Sequence, residues 1–264
     1  MWDSHSAMPR VKLVLEYDGT NYVGWQIQEN GPSVQGRVQR AIQELVGAPV
    51  TLLAAGRTDS GVHARGQVVA FDSPRQLPLK AYWMGLNSLL PEDIAVVRAD
   101  EVAPDFDPRR WSDGKRYRYL VSNRRSRTPL RRLTHWEIFL PLQVPAMIEA
   151  SEHLLGRHDY SAFRASDCQA AHATRRLSKV EVTGSAGDEV TFVVEGTAFL
   201  KHMVRNLVGT LIDVGKGRHP AGWVKEVLQG RDRTKAGPTA PAHGLCLDEV
   251  FYGVGPRGGT ADDD

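Results

Sequence analysis

The sequence predicts an α+β fold in which helices pack on a mainly antiparallel sheet. Short alternating apolar segments follow one another as in hairpins, a few amphipathic helices separate them, and two halves of similar style meet near residue 108. Residues 11–17 alternate as a strand does and stop at the turn dipeptide Asp18-Gly19. Ser33 is placed to N-cap a helix whose apolar positions Val34, Val38, Ala41, Ile42 and Leu45 share one face, with Gly47 as its stop. Strand-like runs at 51–55 and 67–71 come next, then a helical stretch at 79–90 halted by Pro91, then a strand at 94–98. Beyond the link 104–108, residues 115–121 and 135–139 read as strands, and Pro145 opens a helix that reaches Leu155 and ends at Gly156. Strands at 177–183 and 190–196 follow. A helix at 200–214 carries the apolar stripe Met203, Val204, Leu207, Val208, Leu211 and Ile212; a short helix at 223–228 and a strand at 247–252 complete the chain. The expected units are residues 10–108 and 109–254, with flexible termini at 1–9 and 255–264.

With 264 residues there is ample chain for a core, and no apolar run approaches the length of a membrane span. The first ten residues lack the apolar centre of a signal peptide, so a cytoplasmic protein is expected. Cys168 and Cys246 lie far apart without CxxC spacing, and the nine histidines are scattered, so neither a disulfide framework nor a metal site is expected. The chain has no P-loop and no GxGxxG after a strand, which disfavours a nucleotide cofactor. Ser60 lacks the glycine two residues before it that a nucleophile elbow needs.

The net charge of +2 conceals an uneven distribution. Between residues 109 and 132 there are ten cations, Arg109, Arg110, Lys115, Arg116, Arg118, Arg124, Arg125, Arg127, Arg131 and Arg132, opposed by Asp113 alone. That window carries +9 and leaves −7 for the rest of the chain. Arginine binds phosphate through a two-pronged fork and stacks on bases, so a polyanionic partner is expected there.

Three places can carry chemistry. The first is Gly56-Arg57-Thr58-Asp59-Ser60-Gly61-Val62-His63, a glycine-bounded loop between two strand-like runs. In extended chain Arg57 and Asp59 point the same way and can pair, and a guanidinium beside a carboxylate favours the ionised form that a nucleophile or base requires. The same residues also suit a hydrogen-bonded Asp-Ser-Gly turn, and the local sequence admits both readings. The second is Lys115-Arg116-Tyr117-Arg118-Tyr119, which on a strand puts Lys115, Tyr117 and Tyr119 on one side and the arginines on the other. That pattern fits a surface for splayed nucleotides, and equally a half-buried strand with core tyrosines and solvated arginines. The third is Arg205, which flanks the apolar stripe of its helix and either leans into a cleft or snorkels at the surface.

Four stretches in order give these residues a common context. Glu16-Tyr17-Asp18-Gly19-Thr20 with Gly24-Trp25-Gln26, the 56–63 loop with Gly66-Gln67-Val68, the 115–119 strand, and His202-Met203-Val204-Arg205-Asn206-Leu207-Val208-Gly209 resemble the tRNA pseudouridine synthase A (TruA) family from about residue 11 to 252. The resemblance implies two ferredoxin-like subdomains with the site in a central cleft. It implies isomerisation of uridine to pseudouridine at positions 38–40 of the tRNA anticodon stem-loop, without cofactor or metal, by a homodimer. By matching motif, Asp59 is the expected nucleophile, attacking either uracil C6 or ribose C1′. Tyr117 is expected to stack on the uracil, Arg57 and Arg205 to hold Asp59 ionised and fill the space of the extruded base, and Phe106, Arg109, Arg110, Lys115 and Arg116 to contact RNA. Asp107 and Pro108 depart from the family's more usual His and Ala. Residues 168–175 lack the usual Ser-Arg-Thr-Pro run, leaving Ala171 where an RNA-contacting arginine is expected and His172 or Arg175 to substitute. A non-catalytic tRNA-binding chaperone is the alternative; binding alone needs no aspartate facing RNA, where a carboxylate repels phosphate.

Overall fold

The computed structural model describes residues 8–253, so the expectation of flexible termini falls almost wholly outside the described residues. The chain is mixed α and β with mostly antiparallel pairing. It divides into two compact units: one runs to Ser112 and takes back Tyr252, and the other runs from Asp113 to Phe251. None of the helices among the described residues is long and apolar enough to cross a membrane.

In the first unit, β1 (Arg10–Tyr17) lies between β3 (His63–Asp72) and β4 (Ile94–Val102), antiparallel to both, and the short β2 (Leu53–Ala54) pairs with β3. Alternation along β1 buries Val11, Leu13, Leu15 and Tyr17. The β1–β3 register slips between Leu15, opposite Gln67, and Tyr17, opposite Ala64. A bulge of this kind re-aims side chains, and here it lies where β3 emerges from the 56–63 loop. The first helix, α1 (Val34–Val46), begins as its sequence dictates: the Ser33 hydroxyl accepts from the Gly36 N–H at 3.2 Å, and Gly47 closes it in the left-handed conformation. Its buried stripe is Val34, Val38, Ala41, Ile42 and Val46, with Val46 in place of the expected Leu45. The expected helix at 79–90 is a π-turn, Ala81–Gly85, continuing into the four-residue α2 (Leu86–Leu89), which buries Tyr82 and Leu86.

The second unit contains β5 (Ser112–Ser122), β6 (Trp136–Glu137), α3 (Val144–Glu152), β7 (Gly156–Asp159), β8 (Thr174–Gly184), β9 (Glu189–Gly196), α4 (Met203–Gly215), α5 (Trp223–Gly230) and β10 (Leu245–Tyr252). Its strand order is β10-β5-β9-β8-β7, with β6 parallel to β5. The strands expected at 51–55 and 135–139 shrink to two paired residues each, because pairing needs a partner edge as well as propensity. The polar strand β7 has no apolar alternation to announce it; it exists by pairing with the edge of β8.

The largest departure is α4. The helix read as amphipathic is buried at every position except Arg205. A helix enclosed on all sides must satisfy its polar side chains internally, and Asn206, Thr210 and Asp213 are each hydrogen-bonded. Ser33→Ala is expected to destabilise the first unit by about 1 kcal/mol through loss of the helix cap, measured by urea unfolding at equilibrium.

Candidate active site

Hydrogen bonds fix the 56–63 loop at nearly every residue. Gln67, fully buried on β3, donates from its side-chain amide to the Gly56 carbonyl at 2.8 Å. Buried Thr58 shares a 2.8 Å hydrogen bond with the Tyr17 hydroxyl, and its carbonyl accepts from the Trp25 N–H at 3.0 Å. The rings of Tyr17 and Trp25, both buried, lie 6.2 Å apart. Asp59 opens a tight turn whose carbonyl accepts from the Val62 N–H at 3.1 Å. Gly61 occupies its third position with φ 77°, the left-handed geometry that a type II turn reserves for glycine. The Gly61 N–H and the Ser60 hydroxyl both donate to the Tyr22 carbonyl, at 3.3 and 3.2 Å. The turn reading and the site reading are thus compatible: the backbone of Asp59 is locked while its side chain stays half-exposed.

Arg57 is exposed, so any pairing it makes with Asp59 lies at the surface. An exposed pair gains only about 0–1 kcal/mol against the entropy of holding a long side chain, so sequence proximity does not enforce it. Next along the chain, His63 is buried. Its Nδ1 accepts from the Gly19 N–H at 3.1 Å and also lies 3.1 Å from Asp18 Oδ1. One nitrogen cannot serve both at once: the backbone bond needs a bare Nδ1 and the carboxylate contact an Nδ1–H. Burial pushes the Asp18 carboxyl up, but hydrogen bonds from the Thr20 hydroxyl and amide outweigh it and hold Asp18 below its ordinary range.

In the second unit, Tyr117 is buried on β5 with its ring edge-on to Phe199 at 4.9 Å. Tyr119 is fully buried, donates to the Pro241 carbonyl at 2.8 Å and packs against Trp136. Burial drives its hydroxyl pKa well above the usual phenol range, and the nearby Arg205 charge only partly opposes this. Arg205 sits in the first turn of α4, where its Nε donates to the Ala240 carbonyl at 2.8 Å and its own carbonyl accepts from the Ala240 N–H at 3.1 Å. Neither surface snorkelling nor sequence pattern foretold this grip. Among the described residues, no three His, Cys, Asp or Glu side chains are grouped so as to hold a metal ion.

Comparison with known proteins gives these residues a family. A model described as tRNA pseudouridine synthase matches residues 13–109 and 150–253. The chain belongs to the tRNA pseudouridine synthase family. A protein of Myxococcus xanthus named tRNA pseudouridine synthase A is 66% identical over 259 residues, covering 97% of this chain and 98% of the relative. Proteins of the same name from Geobacter sulfurreducens and Pelobacter propionicus are 48% and 49% identical over 245 residues, each covering 93% of this chain and all of the relative. The chain is accordingly an RNA isomerase, a tRNA pseudouridine synthase. The two matched segments contain Arg57, Asp59 and Arg205; Tyr117 and most of the arginine window fall in the interval between them.

For this synthase the arginine window separates into two groups. Arg116 is held by Glu195 at 2.7 Å and Glu249 at 2.9 Å and lies over the Phe251 ring; Arg118 pairs with Asp248 at 2.7 Å, and Arg131 with Glu189 at 3.3 Å. The strand arginines are therefore ion-paired rather than solvated, and RNA reaching Arg116 has to compete with two carboxylates. By contrast Arg109, Arg110, Arg124, Arg125, Arg127 and Arg132 are exposed. Two of the residues named as RNA contacts are buried. Phe106 is only 5% exposed and packs against Trp111 and Tyr252. Arg175 is 6% exposed and donates to the carbonyls of Thr174 and His172.

The residues that sequence reading passed over are the loop's anchors, Tyr17, Trp25, Thr58 and Gln67. Their only sequence signal was membership of the recognised stretches. Tyr17→Phe strips the buried Thr58 hydroxyl of its partner and is expected to cost about 1–3 kcal/mol. Equilibrium unfolding checks this; a variant as stable as the parent would refute the clamp.

Proposed function

We propose that this synthase converts uridine to pseudouridine at positions 38–40 of the tRNA anticodon stem-loop, with Asp59 as its nucleophile. The observation that carries the reading is the half-exposed Asp59 carboxylate on a turn whose backbone is tied down on both sides, in a chain of this family. A preorganised carboxylate of this kind loses little entropy on approaching its target. The target uridine leaves the stack, at a cost of roughly a few kcal/mol that contacts to the extruded nucleotide repay. Asp59 adds to uracil C6 or to ribose C1′, and the bond it forms breaks again before the product leaves, which regenerates the carboxylate. The C1′–N1 bond breaks, a C1′–C5 bond forms, N1 gains a proton and C5 loses one, so the reaction balances without a redox partner. Tyr117 packs on the uracil and assists removal of the C5 proton, while Arg57 and Arg205 take up the space of the extruded base.

Two copies of the chain shape one tRNA, in the cytoplasm. Phosphates are held by Arg109 and Arg110, by Lys115 and Arg116 on β5, and by the exposed arginines that follow. The acidic remainder of the chain keeps RNA away from other faces.

Asp59→Asn is expected to reduce pseudouridine formation by roughly a thousandfold or more, read by carbodiimide labelling specific for pseudouridine on transcribed tRNA. Normal conversion by that variant would remove Asp59 as the nucleophile, and label outside positions 38–40 would redirect the substrate assignment. With six exposed arginines, affinity for tRNA is expected to fall by about three orders of magnitude between roughly 50 and 200 mM salt. A flat response in a filter-binding titration would show that the window is not the RNA surface.

A further inference from the structure

We propose that Asn206, Arg233 and Thr239 are positioning residues that aim Arg205. This rests on the role given to Arg205 above. The Nε bond to the Ala240 carbonyl and the reciprocal bond from the Ala240 N–H to the Arg205 carbonyl tie both the side chain and the backbone of Arg205 to this residue. The aim of Arg205 therefore depends on where Ala240 is held.

Ala240 ends a segment laid directly on α4. An added Cβ at Gly209 would lie 1.7 Å from the Pro238 carbonyl oxygen, so the segment can approach the helix only where there is no side chain. The Thr239 hydroxyl donates to Asn206 Oδ1 at 2.6 Å, and the Gly237 N–H donates to the Thr210 hydroxyl at 3.0 Å. Arg233 crosses the segment from its other end. Its Nη1 donates to the Gly237 carbonyl at 2.9 Å, and its Nη2 donates at 3.1 Å to both Asn206 Oδ1 and the Thr239 hydroxyl. Asn206 is fully buried and anchored in turn by donation to the Phe163 carbonyl at 2.8 Å. On the far side of Ala240, Tyr119 holds the Pro241 carbonyl.

Together these bonds pin residues 237–239 to α4 immediately before Ala240, the residue that bonds Arg205. An arginine fork is suited to this because its planar donors bridge three acceptors at fixed angles, which a lysine ammonium cannot do. Asn206 follows Arg205 in sequence, so the anchor and the aimed residue lie about 100° apart on one turn of the same rigid element.

The test compares full-length Thr239→Val and Thr239→Ser in single-turnover conversion of transcribed tRNA, each alone and combined with Arg205→Ala, with tRNA binding and thermal unfolding measured alongside. Thr239→Val is expected to slow conversion between about 10- and 100-fold at unchanged tRNA affinity, whereas Thr239→Ser, which keeps the hydroxyl, retains the rate. In the Arg205→Ala background Thr239→Val is expected to add no further loss, since it acts through the residue already removed. An equal loss in both backgrounds, or a normal rate for Thr239→Val alone, overturns the proposal. A normal rate for Arg205→Ala by itself removes the role of Arg205 and the proposal with it, a result distinct from the other two. If Thr239→Val lowers the unfolding temperature, Arg233→Lys serves as the second variant, with the same loss and the same non-additivity expected.

Discussion

The buried hydrogen bond between Tyr17 and Thr58 is the contact on which the candidate chemistry of the first unit depends. A loop that presents a carboxylate has to keep that group accessible while satisfying the polar backbone on either side of it. Here Thr58 turns inward, tied by its hydroxyl to β1 and by its carbonyl to Trp25, and the next residue, Asp59, is held half-exposed as the first member of a closed turn. Gln67 performs the same service for Gly56 from within β3. The strand bulge between Leu15 and Tyr17 belongs to this arrangement, because it lies beside the place where β3 leaves the loop.

The second unit solves a comparable problem from the inside. In α4, polar side chains are enclosed with the apolar ones, and each buried polar group adds a partner requirement that restricts how neighbouring segments can lie. Asn206 and Thr210 meet that requirement by taking hydrogen bonds from the segment at 233–239. The helix therefore carries its one incompletely buried residue, Arg205, in a surrounding that leaves little freedom to either.

Charge is distributed on the same principle of partnership. The arginines on β5 face acidic residues of adjoining strands, and these pairs spend part of the window's positive charge within the protein. Six arginines on either side of β5 remain exposed and carry the field that a polyanion would meet at long range. Linear charge counting could locate the positive window, but it could not separate these two populations, because the acids that neutralise Arg116 and Arg118 come from residues remote in sequence.

Much of this protein was legible in its sequence. Period-two alternation marked most of the strands, Ser33 and Gly47 bounded α1, and four motif stretches pointed to the family, because these are local signals that backbone geometry reads residue by residue. The sequence missed β7, overextended the strands at 51–55 and 135–139, and showed one apolar stripe on α4 where nearly every position is buried, because edge pairing and burial depend on what lies alongside. It gave no sign that Phe106 and Arg175 are buried, because burial too depends on remote neighbours. The sequence by itself marked the candidates for chemistry, Asp59 and Arg205 among them. Only the tertiary structure decided what holds them, since hydrogen bonds between segments distant in the chain form only after packing has excluded the water that would otherwise satisfy the same groups.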